Sequence, residues 1–159
     1  MLNEYVISIR AFYCKYNKTE VKKKLITEIT APHPSPALFK LLSYVTSQRS
    51  VEVYKEYLES ADRQLFSCIL DNQLVGCIGI ERNGQRCTIK HIAVVPESRG
   101  KGFGSRMIKF LLINNAIEQI IAETDKEAVA FYRKFGFSVS SLGEKYPGVE
   151  RFHCSYSLK

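Results

Sequence analysis

Between Gln64 and Val95 the chain alternates short apolar runs with turn residues, a pattern of neighbouring strands rather than helices. Gln64 to Leu70 leads to Asp71-Asn72, Leu74 to Ile80 leads to Asn83-Gly84, and Arg86 to Val95 closes at Pro96. Asparagine and glycine accept the left-handed backbone of a tight hairpin, so the three runs predict an antiparallel meander. Upstream, Lys24 to Ile29 reads as a short strand, halted by Pro32, Pro34 and Pro36, which cannot extend a ladder. Ser35 is placed to cap a helix with Pro36 in its first turn, and Leu38, Leu41, Leu42 and Val45 share one face. Val51, Tyr54, Tyr57 and Leu58 mark a second helix by the same spacing.

Downstream of Pro96 the period changes. Met107, Ile108, Leu111 and Leu112 give a helical apolar face that ends at Asn114-Asn115, and Gln119 to Glu123 is a short strand. Lys126 to Lys134 reads as a helix stopped by Gly136. Phe137 to Leu142 and Arg151 to Leu158 are two last strands, joined across Tyr146-Pro147-Gly148, whose Pro-Gly order suits a type II turn. A meander followed by strand, helix, strand and helix implies parallel pairing by crossovers on an antiparallel base. The expectation is one α/β domain over residues 1–159, with a mixed, twisted sheet of about six or seven strands and helices on both faces. Residues 1–23, where Tyr5 to Phe12 is β-branched and apolar, read as an N-terminal extension or an extra strand.

Composition narrows the partners. No run approaches the roughly 20 apolar residues of a membrane helix. Glu4 stands where a secretory leader would be basic, which predicts a cytoplasmic protein. Cys14, Cys68, Cys77, Cys87 and Cys154 contain no C-x-x-C pair, and His33 and His153 have no second ligand at metal spacing, so no metal site is expected. The formal net charge of +7 invites a nucleic-acid partner. Apart from Lys22 to Lys24 the charges are dispersed, and a small polyanion such as a phosphorylated cofactor accounts for them equally well.

The segment most informative about chemistry is Arg99-Gly100-Lys101-Gly102-Phe103-Gly104-Ser105, between the third meander strand and the helix of Met107. Glycines allow backbone amides close to a ligand, and a helix N-terminus adds unpaired N–H groups and a positive dipole end, which together form a pyrophosphate cradle. No Gly-Lys-Ser or Gly-Lys-Thr completes a P-loop, and the dinucleotide pattern fails at its third glycine.

Arg99, Gly102 and Gly104 fit R/Q-x-x-G-x-G/A, and Ala128 to Phe137 is similar to A-x-x-F-Y-x-K-x-G-F; the chain resembles the GNAT superfamily of acyl-CoA-dependent N-acyltransferases in both motifs and in their order. The resemblance runs from Gln64 to Phe137 and implies acetyl-CoA as co-substrate. It implies that the backbone of Ile92, Ala93 and Val94 pairs with the pantetheine amides and that Arg99 to Ser105 hold the pyrophosphate. Tyr132 looks like the tyrosine beside the CoA sulfur, able to protonate the leaving thiolate or hold a hydrogen bond to it; packing on the sheet is the alternative. Asp125 stands where many relatives carry an asparagine on the pantetheine arm, and it is also an ordinary cap for the helix that follows.

Relatives often take the amine's proton with a carboxylate on the fourth strand, where this chain has Thr88 and Lys90. His91, with a reference pKa near about 6.5, and Glu81, on the preceding strand, are the substitutes. The function expected is direct transfer of an acetyl group from acetyl-CoA to a primary amine on a small molecule or peptide, with a backbone amide near Ile92 or Val94 polarising the thioester carbonyl. The protein would act as a monomer or homodimer, away from membranes. A catalytically silent acyl-CoA sensor is the second reading, and a basic nucleic-acid-binding module, resting on net charge, the third.

Overall fold

The computed structural model describes residues 24–114 and 116–158. The Tyr5–Phe12 run and Cys14 lie outside them. Among the described residues seven strands form one sheet in the order β1-β2-β3-β4-β5-β7-β6. They are β1 (Lys24–Glu28), β2 (Arg63–Leu70), β3 (Gln73–Asn83), β4 (Arg86–Val94), β5 (Gln119–Asp125), β6 (Ser138–Tyr146) and β7 (Val149–Ser157). Helices α1 (Pro36–Thr46) and α2 (Ser50–Glu59) lie between β1 and β2, α3 (Phe103–Asn114) between β4 and β5, and α4 (Val129–Phe135) between β5 and β6. The fold is α/β with a mixed sheet, as the pattern implied.

Local chemistry explains the elements. Ser35 accepts from the Leu38 amide at 3.2 Å with Pro36 in the first turn, so α1 begins where cap and proline agree. Asp71 and Asn72 both have positive φ in the two-residue β2–β3 turn, the requirement of a type I′ hairpin. The last hairpin turns at Pro147-Gly148 with Gly148 at φ +76. Strands β3 and β6 run further than their apolar runs, to Asn83 and Tyr146, because ladder pairing continues after side-chain alternation fades. Helix α4 begins at Val129 instead of Lys126, since Asp125 folds the intervening residues into a turn.

Two cores flank the sheet. On one face α3 and α4 bury Met107, Ile108, Leu111, Val129 and Tyr132 against Ile78, Ile80, Cys87, Ile89 and Ile120. On the other, α1 and α2 bury Leu38, Leu41, Leu42, Val53, Tyr54 and Tyr57 against Leu65, Cys77 and Ala93. Cys68, Cys77, Cys87 and Cys154 are buried, and burial pushes the thiols of Cys77 and Cys87 up to about 12, so those two serve as small apolar residues. Among the described residues no helix is long and apolar enough to cross a membrane, and no His, Cys, Asp and Glu cluster could hold a metal.

Candidate active site

The sheet parts in its middle. Parallel pairing of β4 with β5 covers only Arg86 to Ile89 against Gln119 to Ala122, whereas β4 continues to Val94 and β5 to Asp125. At the same level β4 carries a bulge: Ile89 faces Ile80 and His91 faces Gly79, leaving Lys90 as the extra residue. A bulge bends a strand and shifts its alternation by one residue. Beyond it Ile92 and Val94 turn toward the α3–α4 core, while Ala93 joins the α1–α2 core and His91 meets Tyr57 of α2. Ile92, Ala93 and Val94 thus have an edge toward β5 that no strand occupies among the described residues, open to a ligand with amide groups of its own. The Val94 carbonyl accepts from Arg99 Nε at 3.0 Å, which folds the following loop back on the strand.

That loop leads into α3. Gly100 and Gly102 have φ +73 and +82, and a Cβ at either would meet nothing within 4 Å, so these two positions combine strained backbone with open space. The Gly102 carbonyl accepts from the Arg106 amide at 3.1 Å, the first helical bond, so the amides just before Arg106 have no partner within the helix. Lys101 is exposed beside them and Phe103 is buried under the turn. A Cβ on Gly104 would lie 3.0 Å from the Phe131 ring, which brings the start of α3 close to α4. Arg99 lies with its guanidinium 5.7 Å from the Tyr44 ring centroid, and among the described residues no carboxylate pairs with it. Backbone N–H groups, a dipole end and two cations suit a phosphate-bearing ligand.

The remaining expected residues are distributed around this gap. Tyr132 is 4% exposed, edge-on to Phe131 and Phe137 at 5.1 Å each, and belongs to the α3–α4 core. Burial, then the charges of Cys154 and Asp125, push its pKa up, so the phenol holds its proton. Asp125, at the end of β5, accepts from the amides of Glu127 at 3.0 Å and Ala128 at 3.1 Å. It caps the turn before α4 rather than the helix itself. Glu81 faces Thr88, before the strands part, and is bound to Arg63 Nε at 2.9 Å and Lys90 Nζ at 3.9 Å. Arg63 is bonded in turn to Glu56.

His91 stands at the gap on the α1–α2 face, with Nδ1 2.7 Å from the Tyr57 hydroxyl. Its pKa is lowered, first by burial and then by Lys90. By helical spacing alone Tyr57 is one more apolar position of α2. The signal available was Gly79, a glycine inside a strand, which marks a close approach by another group. A cavity of about 270 Å³ on this face, lined by Glu28, Thr30, Arg63 and Gln64, shares Tyr57 with the site but none of the glycine loop.

The site is thus an α/β sheet parted beside a glycine-rich helix N-terminus, with the end of β4 running toward it. Residues 61–139 match the acetyltransferase (GNAT) domain model, and the chain belongs to the GNAT family. It is 33% identical over 76 residues to the uncharacterized N-acetyltransferase in the lysA 3′ region of Bacillus methanolicus, covering 45% of this chain and 63% of that one. It is 32% identical over 83 residues to the UPF0157 protein YqkA of Bacillus subtilis, covering 50% and 24%. The chain therefore spans less than two thirds of each of these relatives. The GNAT family acetyltransferase from Elizabethkingia anophelis, whose structure has acetyl-CoA bound, shares the fold with TM-score 0.68 at 20% identity, over 85% of this chain and 98% of that one.

Proposed function

We propose that this protein transfers an acetyl group from acetyl-CoA directly to a primary amine. The observation that carries the proposal is the β4 edge from Ile92 to Val94, beyond its pairing with β5 among the described residues, running into the glycine turn at the start of α3. The backbone of Ile92 to Val94 suits the amides of a pantetheine arm, and Arg99 to Ser105 the pyrophosphate. Asp125 is committed to its turn, and any contact of its side chain with that arm is secondary. A backbone N–H of Ile92 or Val94 would polarise the thioester carbonyl. The Tyr132 hydroxyl would donate to the departing sulfur. Because its pKa is raised while an ordinary thiol titrates near about 8.5, the phenol stabilises the thiolate as a hydrogen-bond donor without giving up its proton outright.

The amine would approach over the α1–α2 face, where His91 and Glu81 are the titratable side chains proposed for the proton. Protonating Glu81 would weaken its ion pairs with Arg63 and Lys90, which disfavours it as the proton's destination. The test is thiol release from acetyl-CoA across a panel of amines, with products confirmed by mass spectrometry. Acetylated amine formed at the rate of thiol release supports transfer. Tight CoA binding with no release for any amine class would instead indicate an acyl-CoA sensor, and failure to bind CoA would overturn both.

A further inference from the structure

Three elements converge on one hydrogen bond. Gly79 of β3 lies directly across from His91 of β4, and a Cβ there would be 2.0 Å from Tyr57 Oη and 2.3 Å from its Cζ. The missing side chain therefore makes the notch that the Tyr57 hydroxyl fills. The bulge at Lys90 turns His91 to that face, where the two rings meet edge to face with centroids 5.9 Å apart. Tyr57 is 6% exposed, and among the described residues His91 Nδ1 is the hydrogen-bond partner of its hydroxyl.

One proton lies between these two atoms. If the ring donated from Nδ1, the phenolic O–H would be buried without an acceptor, which costs more than the bond returns. If the phenol donates, both groups are satisfied and the neutral ring carries its proton on Nε2. The surroundings support the uncharged pair. Burial pushes the Tyr57 pKa up. Burial also pushes the His91 pKa down, helped by Lys90 on β4, Arg63 on β2 and Arg49 ahead of α2, against the opposing charge of Glu56 on α2; Glu81 of β3 is tied to Arg63 and Lys90.

We propose that Tyr57 is a positioning residue that donates to His91 Nδ1, so that His91 offers Nε2–H on the α1–α2 face and selects amines carrying a carbonyl, carboxylate or hydroxyl oxygen. In this arrangement His91 recognises the acceptor, and the amine's proton passes to solvent water instead of to the His91 ring. The word amine rests on the acetyl-transfer reading; the hydrogen bond and the tautomer do not. Ring-nitrogen NMR at about pH 7, with the His91 signals identified by their loss in His91→Gln, tests the tautomer with no acceptor present. In the wild type Nε2 is expected to be protonated and Nδ1 bare. In Tyr57→Phe the ring should become a tautomer mixture and its midpoint should rise toward the ordinary value near about 6.5.

A protonated Nδ1 in the wild type, or an unchanged tautomer and midpoint in Tyr57→Phe, overturns the proposal whether or not any amine is turned over. With a reactive amine in hand, His91→Gln, which keeps an N–H donor but cannot accept a proton, should lose clearly less turnover than His91→Ala. His91→Ala should lose about tenfold or more, the worth of one recognition hydrogen bond. Equal losses in the two variants would make His91 the proton acceptor and overturn the donor role.

Discussion

Gly79→Ala isolates the notch under Tyr57. The new methyl would sit 2.0 Å from Oη and must reach an ordinary separation of at least 3.4 Å, which drives the phenol out of its place and breaks the 2.7 Å bond to His91. Overpacking a core site costs about 1–3 kcal/mol and a lost hydrogen bond about 1 kcal/mol. Gly79 lies outside the left-handed region, so replacing glycine recovers about 0.5–1 kcal/mol of chain entropy. The net loss expected is about 1–3.5 kcal/mol. At about 2–4 °C per kcal/mol for a chain of this size, the melting temperature should fall by about 2–14 °C. Urea and thermal unfolding measure it, and the same substitution in a Tyr57→Ala background should cost far less because the clashing ring is gone. A loss below about 0.5 kcal/mol in the wild type, or an equal loss in both backgrounds, would show that the packing of Tyr57 on Gly79 is not what the position requires.

Gly102→Val places a β-branched residue at φ +82 in the open space of the cradle; CoA affinity measured by calorimetry should fall at least about tenfold in a protein that remains folded, and unchanged affinity would remove the loop from the donor site. Tyr132→Phe keeps the ring in its core while deleting the hydroxyl, so turnover should drop about 100-fold with CoA affinity and melting temperature nearly constant; wild-type turnover under chemistry-limited conditions would make the hydroxyl structural. The Glu123 carboxyl is held below its ordinary range, first by the Arg151 hydrogen bond and further by Lys145. Its contribution to stability is thus present at neutral pH and is lost as pH falls through the ordinary glutamate range to the lowered value. Glu123→Gln should flatten that part of the unfolding profile, by a small amount because the pair is exposed. An acid limb as steep in the variant as in the wild type would assign it to other carboxylates.

The elements around the gap were legible because their signals are local. Asp71-Asn72, Ser35-Pro36 and Pro147-Gly148 each set backbone angles by their own chemistry, so a linear reading places two hairpins and one helix start. The glycine loop was legible for the same reason, since positive φ and unpaired amides belong to Gly100, Gly102 and the first turn of α3 wherever that helix packs. Helix α4 starts later than its periodicity predicts because one side chain, Asp125, holds the amides two and three residues ahead in a turn.

The sequence by itself determined the strand and helix order, the mixed sheet and the glycine turn ahead of α3, all of which follow from periodicity and turn chemistry within a few residues. Only the tertiary structure decided what lies beside what. The insertion of β7 between β5 and β6, the parting of β4 from β5 after Ile89, and the meeting of Tyr57 with His91 over Gly79 join residues far apart along the chain. The bulge at Lys90 illustrates the reason: in isolation β4 alternates without interruption, and only its register against β3 shows which residue is extra and therefore which face receives His91.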